Sequence, residues 1–237
     1  MILHPVSSSA ADLTEIFASL QGEGIYVGVP QIFIRFNQCN LSCEYCDTPI
    51  NVPSVPEQTL TQVVEKVKSL YRPRYFHSIS LTGGEPLVYA EFLQQLIPQL
   101  KKLVSRVYLE TNGILHEALE FLIAEVDIIA MDIKLPSALQ GQRYGSAHQE
   151  FLKTAMQKEV FVKVVLTEVS LESEWREAVQ LVANMNSSIP MIMQPATAPS
   201  GKLRVTVEQL LPWLEWAKRY LEDVRIVPQV HKMMGIR

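Results

Sequence analysis

Cys39, Cys43 and Cys46 are the whole thiol complement of this 237-residue chain, and they fall within eight residues as Cys-Asn-Leu-Ser-Cys-Glu-Tyr-Cys. Clustered cysteines without a secretory leader point to metal ligation, not to disulfides. A structural zinc site takes four protein ligands, and His77, the nearest histidine, is far along the chain. A [4Fe-4S] cluster is normally held by four thiolates; with three, one iron stays open, and a small molecule can chelate there and be reduced. A zinc knuckle short of one ligand and a group of three buried thiols are the competing readings of the spacing alone.

A ligand loop of this kind has to be held by rigid elements. Short β-rich runs alternate with amphipathic runs along the chain, which predicts βα units and a largely parallel sheet. The first strand is expected at 31–37, where Ile32, Ile34 and Phe36 share one face and Phe33 and Arg35 the other. Further strands are expected at 78–82, 107–111, 127–133, 161–167 and 191–194, with 224–227 as an added strand. Helices are expected at 59–70, 91–102, 117–124, 149–158, 172–185 and 206–220, the first opened by a Thr59–Gln62 capping box. Six βα units describe an incomplete (β/α)6 TIM-like barrel, read as a single domain over residues 1–237. Cys39, Gly84, Asn112, Lys134 and Gln194 all fall at or just past strand C-terminal ends, where barrels of this kind carry their active sites.

Composition sets bounds on the class. Hydrophobic residues make up 48% of the chain, enough for an ordinary core. The net charge of −4 and the absence of a Lys/Arg run argue against a general nucleic-acid binder. No apolar stretch reaches membrane-spanning length. Residues 1–12 lack a positive region and an apolar core, so no signal peptide is expected and the cytoplasm is the default location. A cluster with an open iron is oxygen-labile, which also favours a reducing compartment.

The cysteine spacing resembles the signature of the radical S-adenosylmethionine (SAM) superfamily, and Thr82-Gly83-Gly84-Glu85-Pro86 resembles its glycine-rich motif. The likeness narrows further. Glu15-Ile-Phe-Ala-Ser-Leu-Gln-Gly-Glu-Gly24, the run Cys46-Asp47-Thr48 after the triad, and Gln229-x-His231-Lys232 near the end together resemble the 7-carboxy-7-deazaguanine synthase family, over residues 15–237. The first two pieces also occur in glycyl-radical activating enzymes, which act on a protein partner and are the alternative reading.

That resemblance implies a radical SAM-type barrel and a lyase that converts 6-carboxy-5,6,7,8-tetrahydropterin to 7-carboxy-7-deazaguanine with loss of ammonia, for queuosine and deazaguanine pathways. It implies a [4Fe-4S] cluster on Cys39, Cys43 and Cys46, with SAM on the open iron cleaved to a hydrogen-abstracting radical and then regenerated. Gly84 and Glu85 would hold the methionyl amino group. Asp132, Ile133, Lys134, Gln194, Pro195, Ala196 and Thr197 would contact other parts of SAM, and Tyr45 lies where an aromatic approaches the adenine. Arg35 suits the substrate carboxylate, with a salt bridge to a carboxylate such as Glu23 as its other reading. Gln21, Glu23 and the backbone of Leu20 and Gly22 suit the pterin edge, a carboxylate being a natural acceptor for its guanidine-like N–H pair. Thr82 would add a hydrogen bond, and Thr48 would ligate Mg2+, which tolerates few protein ligands. Residues 228–237 would fold over the barrel mouth, with His231 and Arg237 at the substrate; independently, Met233, Met234 and Ile236 are costly to leave in water and are expected to be buried against the barrel. The implied partners are a small pterin, an electron donor such as flavodoxin or ferredoxin, and a second copy in a homodimer, with no nucleic acid and no membrane.

Overall fold

The protein is seen in a computed structural model that describes residues 8–53 and 55–236. In chain order its elements are β1 (Ala10–Leu20), β2 (Pro30–Phe36), β3 (Glu57–Thr59), α1 (Leu60–Leu70), β4 (Ser78–Gly83), α2 (Ala90–Leu100), β5 (Val107–Thr111) and α3 (His116–Leu122). They continue with β6 (Ile128–Asp132), α4 (Gly145–Ala155), β7 (Glu159–Leu166), α5 (Glu172–Met185), β8 (Met191–Pro195), α6 (Val207–Ala217), β9 (Val224–Ile226) and α7 (Val230–Met234). One nine-stranded sheet runs in the order β3-β1-β2-β4-β5-β6-β7-β8-β9. From β2 through β9 every pairing is parallel. The sheet begins at β3 and ends at β9, so it curves without closing into a barrel.

The expected six βα units are present, and the Thr59–Gln62 capping box forms at α1. The start of the sheet differs from expectation. Strand β1 precedes 31–37, antiparallel to both β2 and β3. Its two-residue alternation was not legible because the register shifts between Leu13 and Glu15. A bulge there moves the helix-facing set from Ala11 and Leu13 to Ile16.

Alternation explains how the parallel strands build a site. Val107, Leu109, Ile129, Met131, Val162, Val164, Met191 and Met193 face the helices and form the main core. Residues one step out of phase face the inside of the curve. There Tyr108, Ile128, Ala130, Phe161 and Ile192 pack with Ile25 and Tyr26 into an apolar floor. Two residues further along their strands, Glu110, Asp132, Lys163 and Gln194 stand above that floor and line a cavity. Among the described residues no helix is long and apolar enough to cross a membrane.

Candidate active site

The cavity has a volume of about 520 Å³ and opens at the C-terminal ends of the parallel strands. All three cysteines face it, from the loop after β2. Cys39 is buried, Cys43 partly so, and Cys46 is exposed. The loop is pinned at several points. Asn37 grips Val52 with both ends of its amide, and Cys39 N donates to Asn51 Oδ1. Gly84 N and Glu85 N donate to the carbonyls of Phe36 and Gln38 at 2.8 Å each. A Cβ on Gly84 would collide with the Gln38 carbonyl, and Gly83 has φ +111° against the Phe36 backbone. The glycine pair therefore has a local reason as well: only bare backbone fits against the cysteine loop. Burial pushes the Cys39 thiol up to about 12 and raises Cys43. Thiols so placed need a bound cation to become ligands.

Glu85 turns inward, away from the cavity. Its carboxylate accepts from Leu87 N at 3.1 Å, Thr111 Oγ1 at 2.9 Å and Asn112 N at 2.8 Å. Burial pushes its carboxyl up to about 7 in spite of these bonds. Asn112 does face the cavity, tied to the cysteine loop through Asn40 at 2.7 Å. Buried His148 holds its carbonyl from behind at 3.2 Å.

Around the next strands Lys134 bonds Asp132 at 2.8 Å and Tyr45 Oη at 3.2 Å, with its ammonium 5.2 Å from the Tyr45 ring centroid. Burial opposes the Lys134 charge, but Asp132 outweighs it and the ammonium is held well above its usual range. Among the described residues, Asn112 Oδ1, Asp132 Oδ1, Gln194 Oε1 and Thr197 Oγ1 are buried polar atoms without a partner. Asn112, Asp132 and Gln194 line the cavity, and Ala196 joins them. Ile133, Pro195 and Thr197 do not line it.

The opposite half is built by β1, β2 and their connection. Arg35 bonds Glu15 at 3.4 Å and lies 5.4 Å from the Phe17 ring centroid, while Phe17 stacks on Phe33. Glu15, not Glu23, is thus the salt-bridge partner of Arg35, whose Nε is buried without a partner among the described residues. Glu23 pairs instead with Lys163 and accepts from Gln229 Nε2 at 3.0 Å. Burial pushes the Glu23 carboxyl up, but Lys163, Gln229 and His231 outweigh it and hold it at about 2. Lys163 also lies 3.7 Å from Asp132, bridging the two halves. Gln21 and Thr82 turn their donors onto one carboxylate, Glu110, at 2.7 and 2.8 Å. Leu20, Gly22 and Thr48 also line the cavity.

The chain end forms the short helix α7, which borders the cavity. Val230 N donates to the Gly22 carbonyl at 2.9 Å, Lys232 pairs with Asp47, and Gln229 accepts from Thr197 N at 3.1 Å. His231 packs on Gly22, where a side chain would collide with it, and lines the cavity with Gln229. The expected burial of the tail methionines is corrected: Met233 is 71% and Met234 55% exposed. Polar contacts to three loops hold this segment, not apolar area. Arg237 lies outside the described residues.

Glu110 and Lys163 were not anticipated, and Gln229 was read only as part of a family motif, with no place at the site. The first two sit in ordinary strand sequence, and only their inward phase on β5 and β7 could have marked them. The donor set fits an iron–sulfur cluster and a polar cofactor: three thiols from one loop face a cavity whose adjoining wall presents unpartnered buried oxygens.

The radical SAM superfamily profile matches residues 33–167. A 7-carboxy-7-deazaguanine synthase of Geobacter sulfurreducens is 41% identical to this chain, covering 97% of it and 99% of that protein. The enzyme of the same name from Methanothermobacter thermautotrophicus is 32% identical, covering 96% and 98%. Among solved structures, QueE from Escherichia coli superimposes with a TM-score of 0.58 at 19% identity over 94% of each chain. A radical SAM methyltransferase from Sphaerobacter thermophilus does so with a TM-score of 0.65 at 16% identity, over 84% of this chain and 66% of that one. At those identities the structural likeness is one of fold.

Proposed function

The chain belongs to the radical SAM superfamily and, within it, to the 7-carboxy-7-deazaguanine synthase family, and from that premise we propose that it converts 6-carboxy-5,6,7,8-tetrahydropterin to 7-carboxy-7-deazaguanine with loss of ammonia. It is a radical SAM lyase of deazaguanine biosynthesis that uses a [4Fe-4S] cluster and SAM. One observation carries the assignment of roles: the cysteine loop and the Arg35–Glu110–Glu23 wall open on the same cavity.

When bound, the cluster and SAM supply one-electron hydrogen abstraction. The protein's part is to hold, orient and shield. Cys39, Cys43 and Cys46 are the cluster ligands. The backbone at Gly84, with Asn112, Asp132, Lys134, Gln194 and Ala196, takes SAM, whose hydroxyl and amino donors suit the unpartnered oxygens there. Glu85 serves this half from behind by fixing the Asn112 backbone. Arg35 takes the substrate carboxylate, with Glu15 and Phe17 fixing its plane. Glu110 and Glu23 accept from the pterin edge, Gln21 and Thr82 anchor Glu110, and His231 closes over the pocket with α7. Thr48, beside the cluster loop, would supply a hydroxyl ligand to Mg2+.

A segment bordering the cavity favours a small substrate over the protein loop that a glycyl-radical activating enzyme would admit. An electron donor such as flavodoxin or ferredoxin would reduce the cluster, and the exposure of Cys46 supports its approach at the cysteine loop. A cytoplasmic homodimer is proposed on the family's pattern. The test is anaerobic reconstitution followed by incubation with carboxytetrahydropterin, SAM and a reductant. The expected result is the deazaguanine chromophore with SAM used catalytically; one tight zinc and no turnover would overturn the reading.

A further inference from the structure

The interior face of the sheet changes character halfway round. On β5 to β8 the level beneath the cavity is the apolar floor of Tyr108, Ile128, Phe161 and Ile192. On β2 and β4 the inward residues at the bottom are Gln31, Ser78 and Ser80, all fully buried. Burying an amide and two hydroxyls there costs free energy unless they are hydrogen-bonded. The Gln31 amide and the Ser78 hydroxyl are bonded in a single file, while Ser80 Oγ has no partner among the described residues. Gln31 Nε2 donates to Ser78 Oγ at 2.8 Å, and Gln31 Oε1 accepts from Gln21 Nε2 at 3.0 Å. The same Gln21 nitrogen donates to Glu110 Oε1 at 2.7 Å, and Thr82 Oγ1 donates to Glu110 Oε2 at 2.8 Å. At the far end Ser78 Oγ lies 3.0 Å from His77 Nδ1, and Arg106 Nη1 reaches His77 Nε2 at 3.2 Å.

Both ends of this file have a fixed sense. Arg106 can only donate, so His77 Nε2 accepts and the neutral ring carries its proton on Nδ1, facing Ser78. The Glu110 carboxylate can only accept, so Gln21 must turn its amide nitrogen toward it. The Gln21 oxygen is taken by Glu23 N at 3.0 Å. That leaves Gln31 one orientation, with its oxygen toward Gln21 and its nitrogen toward Ser78. Each Glu110 oxygen is then anchored by one donor and keeps a lone pair for a ligand in the cavity.

We infer that Gln31, which does not itself line the cavity, is a positioning residue that sets recognition of the substrate's guanidine-like edge by locking Gln21 and, through it, the Glu110 carboxylate. The inference rests on the pterin reading above. The chemistry it serves is an adjacent pair of N–H donors, the ring N–H and exocyclic amine of a pterin, facing an acceptor-only carboxylate.

Steady-state kinetics with carboxytetrahydropterin and with its 2-desamino analogue test it. Wild type should favour the amino substrate in kcat/KM by roughly a hundredfold or more, since a site built to bond an N–H rejects the analogue without it. In Gln31→Met that preference should fall by about tenfold, through KM of the amino substrate, with kcat and iron content unchanged. Ser78→Ala deletes only the hydroxyl that orients Gln31 and should show a smaller loss of the same kind, so the test stands even where the methionine variant does not fold. Equal losses on both substrates, or an unchanged preference in the folded variants, overturn the inference alone. Wild type that turns over neither substrate overturns the pterin reading and the inference with it.

Discussion

Gly84 and Gln38 meet backbone to backbone: the carbonyl of Gln38 occupies the space that a Cβ on Gly84 would need, one residue before the first cysteine. The glycine turn and the cysteine loop are thus one assembly. Gly84→Ala should cost about 1–3 kcal/mol of stability through overpacking and displace the loop. Iron and sulfide content after anaerobic reconstitution should drop together with the melting temperature. A variant with full cluster content would show that the contact yields without consequence.

Cys43→Ala should lose both the intact cluster and turnover, because the remaining two thiols cannot hold a cluster that already leaves one iron open. Wild type should contain about four irons per chain and cleave SAM on reduction. Metal analysis and methionine release measure the two effects separately.

The Glu23–Lys163 pair is buried and couples to pH. Glu23 titrates near 2 in the folded protein against an ordinary value of 4.5. The pair therefore contributes stability above about pH 4.5, and that stability is lost as pH falls toward 2. Lys163→Met leaves the carboxylate buried without its cation, with the Gln229 hydrogen bond remaining, at a cost of about 3 kcal/mol at neutral pH. Burial then raises the Glu23 pKa, so the variant gains stability on acidification while wild type loses it. The gap between their melting temperatures should narrow from pH 7 to pH 4; a constant gap would place the effect elsewhere.

Thr48→Ala should weaken the response of turnover to Mg2+ while the cluster remains. Thr48 stands two residues past Cys46 and lines the cavity. A magnesium titration of activity, beside iron content, checks this. An unchanged titration removes Thr48 from the metal site.

Ending the chain after Val230 should raise the substrate KM or stop turnover with the cluster and fold intact. Gln229 stays, but His231 and the Lys232–Asp47 pair are lost. Since Met233 and Met234 are exposed, the melting temperature should change little. Full activity of the truncated chain would make α7 an ornament of the mouth.

Local patterns in the sequence, together with the family resemblance they carry, were enough for the cofactor and most of the frame. A cysteine triad, a glycine pair after a strand and a Thr–Gln capping box are each complete within a few residues, and alternation with period two marks a parallel strand wherever its register is unbroken. The bulge after Leu13 hid β1 because it breaks that period. Tertiary structure alone decided which side chains meet. Nothing near Lys163 announces Glu23, 140 residues earlier in the chain. Nothing near Gln31 announces that Gln21 will share its amide nitrogen between Gln31 and Glu110. Glu85 turned inward because the backbone at Asn112 and Leu87 offered it donors that a sequence does not display. The tail docked through Gly22, Asp47 and Thr197 while its methionines stayed in water. Chemistry-bearing types and short spacings are written along the chain, but their partners are set by the phase of each strand and the curvature of the sheet, which exist only once the whole chain has folded.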